Sequence, residues 1–177
     1  MENLSLKNLT WESPTTLSGF IPQGRQGTYL TLRYMAEIVR HWKRSPDMRS
    51  LAIQIVAGVD EKDYRAEACA LFAFVRDRIR YIQDVNGIET LSTPDVTLRT
   101  GAGDCDDKGI LLATLLESVG HQARFVAMGW SDNPEVFSHV TTETKVGSIW
   151  VNCETTEAVE MGWIPNPPPD NRLTVYV

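Results

Sequence analysis

Apolar residues recur at helical spacing up to about residue 119 and at strand spacing from residue 123. Leu30, Tyr34, Ile38 and Trp42 stand four apart. That spacing predicts a helix capped by Thr28 and running to about Arg44, with those four residues on its buried face. Ser45-Pro46 reads as an N-cap followed by proline at the first helical position, which opens a second helix to about Val56. A third helix is predicted from about Asp63 to Tyr81, with Ala68, Leu71, Phe74, Val75 and Ile79 as its core stripe. Cys69 falls in this helix and reads as packing. Residues 82–104 show no strong period and read as a long connection containing Asn86-Gly87 and Thr93-Pro94. A fourth helix follows, capped by Asp104, striped by Leu111, Leu112, Leu115, Leu116 and Val119, and stopped at Gly120.

The period then changes to two. Ala123–Met128, a segment around Val136–Lys145, and Ile149–Glu154 read as strands, joined by turns at Ser131-Asp132-Asn133-Pro134 and Val146-Gly147-Ser148. Helices followed by an antiparallel meander predict an α+β fold, with the N-terminal helices packed on an antiparallel sheet. Pro165 and Pro167-Pro168-Pro169 make a stiff extended stretch, and Leu173–Val177 is either a last strand or a docked tail. Residues 1–28 lack periodicity. They form a coil that packs Trp11, Phe20 and Ile21 onto the body, or an arm that binds a partner. The expected organisation is an arm or coil over 1–28, a folded domain over 29–160 and a Pro-rich tail over 161–177.

Composition narrows the functional classes. The 177 residues are 42% hydrophobic and 23% charged, as in a globular domain of ordinary size. The net charge is 17 − 23 = −6 with no basic run, which argues against nucleic acid or an anionic membrane as partner. No apolar stretch is long enough to span a bilayer, and no signal peptide is legible. The three cysteines are irregularly spaced and suggest no disulfide framework, so a reducing, cytoplasmic setting is expected. No close pair of Cys or His ligands exists, so no metal and no cofactor is expected.

The chemistry concentrates in Gly101-Ala102-Gly103-Asp104-Cys105-Asp106-Asp107. Cys105 opens the fourth helix, where unpaired N–H groups and the helix dipole favour a thiolate. The backbone N–H of Cys105 is the first candidate for an oxyanion donor, with Gln83 and Trp130 as side-chain candidates. By strand alternation Trp150, Asn152 and Glu154 share one face, whereas Val151 and Cys153 share the other, so Cys153 should point into packing. Phe137, His139 and Thr141 share a face of the preceding strand. If the two strands pair, Glu154 can fix the tautomer of His139, whose other nitrogen can take the proton of Cys105. Asp104, Asp106 and Asp107 oppose a low thiol pKa. The expectation is that Asp104 caps the helix while Asp106 and Asp107 serve its dipole and point away; the alternative is a cluster that binds a cation or a basic substrate. His41 and His121 stand at helix ends and receive no catalytic role.

Gly103-Asp104-Cys105-Asp106-Asp107 with Leu111-Leu112, Leu115-Leu116, Gly120 and Ala123-Arg124 resembles the core motif of the transglutaminase-like (papain-like thiol) superfamily. His139-Val140 resembles its histidine strand, and Trp150–Thr156 the strand ending in its acid. The likeness covers roughly residues 63–156. It implies Cys105 as nucleophile, His139 as general base and acid, and Glu154 as orienting acid, acting on amide bonds of a protein or peptide substrate. Glu154 replaces the usual aspartate, and Thr155 the usual proline. Small stand-alone versions of this kind occur in tailed phages and prophages. The resemblance thus also implies a second reading, a phage particle or assembly component that keeps the fold without catalysis.

Overall fold

Helix α5 (Cys105–Ser118) is apolar nearly all round, and a helix of that kind must be enclosed on every side. From Asp106 to Ser118 only Glu117 escapes full burial. The computed structural model describes residues 21–83 and 90–177, and the other elements are arranged about α5. Helices α1 (Gly24–Trp42), α2 (Pro46–Val56), α3 (Tyr64–Arg78) and α4 (Pro94–Thr100) pack against it, as does a sheet of β3 (Ala123–Gly129), β4 (His139–Val146), β5 (Ile149–Cys153) and β6 (Asn171–Tyr176). A separate pair, β1 (Arg80–Tyr81) and β2 (Ala102–Gly103), runs parallel beside the start of α5. The fold is α+β as expected. Trp11, Phe20 and the Asn86-Gly87 turn lie outside the described residues.

Helix α1 begins at Gly24, ahead of the expected cap at Thr28, and buries a different face. Leu32, Met35, Ala36, Val39 and Trp42 are enclosed, whereas Tyr34 is 54% exposed. Steps of four advance about 40° each around a helix of 3.6 residues per turn, so a row of four drifts off the face. The 3-4-3 spacing of Leu32, Met35, Val39 and Trp42 stays on it. Helix α2 has the predicted bounds, with Pro46 at its first position. Helix α3 ends at Arg78 because Ile79 is extended and Arg80 and Tyr81 pair with Ala102 and Gly103. Its enclosed residues include Phe72, while Phe74 is only partly buried. The long connection holds α4 and β2. Thr93-Pro94 carried the same start signal as Ser45-Pro46, but seven residues are too few to show a period.

The sheet order is β5-β4-β3-β6, antiparallel throughout. The C-terminal residues are therefore a strand that pairs with β3. Alternation places Phe125, Ala127, Val140, Thr142, Val151 and Cys153 on one face, in the core or against α5. Thr142 Oγ1 donates to Gly109 O at 3.2 Å. A Cβ at Gly109 would stand 3.3 Å from that hydroxyl, so glycine permits the close approach of α5 and β4. Strand β4 starts at His139, later than predicted. The preceding chain folds back over Gly129, where a Cβ would lie 2.0 Å from Val136 O.

Candidate active site

Asp104 caps α5 through its carboxylate, which accepts from the N–H groups of Asp106 and Asp107 at 3.0 and 3.1 Å. Gly103 makes this turn possible, since a Cβ there would meet the Asp107 side chain at 2.6 Å. Cys105 is therefore the first residue of the helix, as read from the sequence, and is half-buried. Asp107 does turn away, accepting from Ser92 N at 2.7 Å and Ser92 Oγ at 3.1 Å, which ties the chain before α4 to α5. Asp106 does not. Its Oδ1 accepts from Cys105 Sγ at 3.5 Å.

The thiol pKa is raised, against the expectation of a depressed one. Burial pushes the Cys105 thiol well up, and the charges of Asp106 and Asp104 add to it. A hydrogen bond from the backbone of Val140 acts the other way. These contributions favour the protonated thiol over the thiolate.

His139 and Glu154 meet as the alternation predicted. Strands β4 and β5 pair up to Thr142 and Cys153, and one step further Glu154 Oε2 lies 2.6 Å from His139 Nε2. Thr156 donates to Glu154 Oε1 from its N–H at 2.8 Å and its hydroxyl at 2.7 Å. Burial pushes the Glu154 carboxyl up, but the hydrogen bonds from His139 and Thr156 and the charge of His139 outweigh it and hold the group below its ordinary range. Glu154 is thus a buried carboxylate with three donors, and it directs Nδ1 of His139 away from itself. The next residue, Val140, meets the Cys105 sulfur through its backbone. Cys105 and His139 are not hydrogen-bonded to each other. Cys153 points into the core and is 1% exposed, and burial pushes its thiol up to about 12.

A cleft of about 280 Å³ opens at His139 and Glu154, walled by Tyr81, Trp130 and Trp163. The Trp130 indole N–H is committed to Pro167 O at 3.0 Å, so it does not serve as an oxyanion donor in this arrangement. Gln83 is exposed and does not line the cleft. The backbone N–H of Cys105 remains the candidate donor. His121 bonds Glu67 Oε2 at 3.1 Å beneath Tyr64, a structural role away from the cleft. Among the described residues no group of His, Cys, Asp or Glu is disposed to hold a metal ion.

Two residues of this region were not legible as site residues. Burial and the charges of Cys105, Asp104, Asp106 and Glu154 all raise the pKa of Tyr81, which places its ring beside both halves of the site. The predicted third helix ran through Tyr81; the extended pattern Ile79-Arg80-Tyr81-Ile82 was the available signal. Lys108 lies one turn after Cys105 and is only 2% exposed. Its Nζ donates to Ile79 O at 2.5 Å and Arg76 O at 3.4 Å, satisfying carbonyls at the end of α3 and fixing the first turn of α5 to it.

The sequence profile of the Transglutaminase-like superfamily matches residues 49–165, and the chain belongs to that superfamily. Among curated proteins no sequence matches it. Its fold is similar to that of a candidate cysteine protease from Cytophaga hutchinsonii (20% identity, TM-score 0.53, 67% of this chain and 39% of that one). It is also similar to that of a candidate protease from Parabacteroides distasonis (13% identity, TM-score 0.57, 82% and 32%). A third likeness is to calcium-bound LapG of Legionella pneumophila (15% identity, TM-score 0.50, 73% and 75%). The chain thus spans well under half the length of the first two proteins. These likenesses give a phage origin no support. Among the described residues no helix is long and apolar enough to cross a membrane.

Proposed function

We propose that this chain is a cysteine-dependent acyl-transfer enzyme acting on amide bonds of proteins or peptides. The observation that carries the reading is the His139–Glu154 pair at 2.6 Å, set at the start of the strand whose next residue meets the Cys105 sulfur. Because Glu154 holds Nε2, Nδ1 is the nitrogen that takes the thiol proton as sulfur attacks the amide carbonyl. The S–C bond forms and the carbonyl electrons move to oxygen, to which the N–H of Cys105 can donate a hydrogen bond. Collapse breaks the C–N bond. His139 returns the proton to the leaving amine, and a thioester remains on Cys105. Water then gives hydrolysis, and a lysine amine gives a cross-link. Hydrolysis is the reading we adopt.

The test is turnover of a quenched-fluorescence peptide library with trapping of the acyl-enzyme by rapid acid quench and intact-mass spectrometry. Turnover with a mass adduct on Cys105, absent in Cys105→Ala, supports the reading; equal turnover in wild type and Cys105→Ala refutes it. The burial of Cys105 and its bond to Asp106 favour a second reading, a component of a phage particle or other assembly that keeps the fold without catalysis. Stoichiometric association with a particle that is unaffected by Cys105→Ala, in the absence of any adduct, would select it.

A further inference from the structure

A second cleft, of about 380 Å³, lies beside the first and shares Tyr81, Thr156 and Glu157 with it. Its charge is opposite to that of the protein. Four cationic residues, Arg76, Arg78, Arg80 and Lys108, line it with two carboxylates, Asp77 and Glu157, in a chain of net charge −6. The cations are not equivalent. Arg76 is committed to Asp77 at 2.7 Å and to Val159 O at 2.6 Å, and Lys108 to the α3 carbonyls. Arg78 and Arg80 are exposed and make no ion pair among the described residues.

The arrangement follows from the end of α3. Arg76 and Arg78 fall in its last turn, and the switch to extended chain at Ile79 brings Arg80 to the same cleft. Pairing of Arg80 and Tyr81 with Ala102 and Gly103 fixes that segment immediately ahead of Cys105. A polypeptide crossing the ridge of Tyr81, Thr156 and Glu157 would have its amide at His139 and its flanking residue among the free guanidinium groups.

We infer that this cleft is a subsite for an acidic side chain of the polypeptide substrate, held by Arg78 and Arg80. Arginine suits the role because its planar fork binds a carboxylate with two parallel hydrogen bonds. Arg76 and Lys108 raise the local potential without being free to bind. The inference rests on the acyl-transfer reading for its substrate class, but binding can be read without turnover.

A random heptapeptide library is passed over immobilised full-length Cys105→Ala protein at low ionic strength, and retained peptides are sequenced by mass spectrometry. Asp and Glu are expected to be enriched at least threefold over input, with the enrichment abolished when Arg78→Ala and Arg80→Ala are added. Both positions are exposed, so the double variant is expected to fold, as a circular-dichroism melt will verify. In active protein, Arg80→Glu should raise KM for acidic peptides about tenfold or more relative to neutral ones. Absence of acidic enrichment overturns the inference, and so does enrichment that survives in the double variant. A single-stranded oligonucleotide that binds through Arg78 and Arg80 more tightly than the retained peptides would also overturn it. Acidic enrichment without turnover would refute the catalytic reading alone, whereas turnover of neutral peptides without acidic enrichment would refute only the subsite.

Discussion

Replacing Asp106 with asparagine tests how the protein sets the reactivity of Cys105. The carboxylate oxygen lies 3.5 Å from the sulfur, and asparagine keeps an oxygen acceptor at that position while removing the charge. A unit charge at that distance opposes a thiolate by about 1.2 kcal/mol in bulk water and ~5 kcal/mol at an effective dielectric of 20. Cys105 is half-buried, so the effect falls between these bounds. At 1.36 kcal/mol per pKa unit, the thiol pKa should drop by at least about one, and the thiolate fraction at neutral pH should rise about tenfold or more. The assay is the rate of iodoacetamide alkylation at each cysteine from pH 6 to pH 10, read by peptide mass spectrometry. Cys153, with its thiol pushed up to about 12 by burial, is the internal control and should stay unreactive in the folded protein. Wild-type Cys105 should react slowly at pH 7 and accelerate toward the alkaline end; Asp106→Asn should move that rise to lower pH. An unchanged or higher profile in Asp106→Asn would refute the contribution of the Asp106 charge to the raised pKa, which burial leads. His139→Ala in the same assay then reports how far the imidazole supports the thiolate.

Glu154→Gln should lower kcat by about 10²–10⁴ with little change in KM, measured on the best library peptide, because the neutral amide no longer stabilises the imidazolium or fixes its tautomer. The folded-state pKa of Glu154 lies below its ordinary 4.5, so its contribution to stability is present above that pH and lost as pH falls through the lower value. Glu154→Gln should therefore flatten the acid limb of the urea-unfolding profile. Burial lowers the Lys108 pKa from 10.5 to about 8. Between those values the unfolded chain binds the extra proton, so stability should rise with pH across that window, and the rise should vanish in Lys108→Met. Gly129→Ala should cost more than about 2 kcal/mol in denaturant unfolding, since its Cβ would sit 2.0 Å from the Val136 carbonyl and force the chain ahead of His139 outward.

The sequence by itself determined whatever depends on local backbone physics. Pro46 opens α2 because proline fits the first turn of a helix. Asp104 caps α5 because its carboxylate reaches the first free N–H groups. Alternation pointed Cys153 into the core, because neighbouring side chains in a strand point to opposite faces, and it made Glu154 a neighbour of His139 once β4 and β5 pair. Tertiary structure decided the rest. The buried face of α1 depends on which row of side chains α5 and the sheet accept, and neighbouring rows of apolar residues look alike in sequence. Tyr81 and Arg80 stand beside the clefts only because two residues of extended chain pair in parallel with two others twenty-two positions away, a ladder too short to leave a period. The thiol followed the same division. Its place at the helix start was legible, but its pKa was set by burial under β4 and by the direction in which Asp106 turned, and both depend on packing between elements distant in sequence.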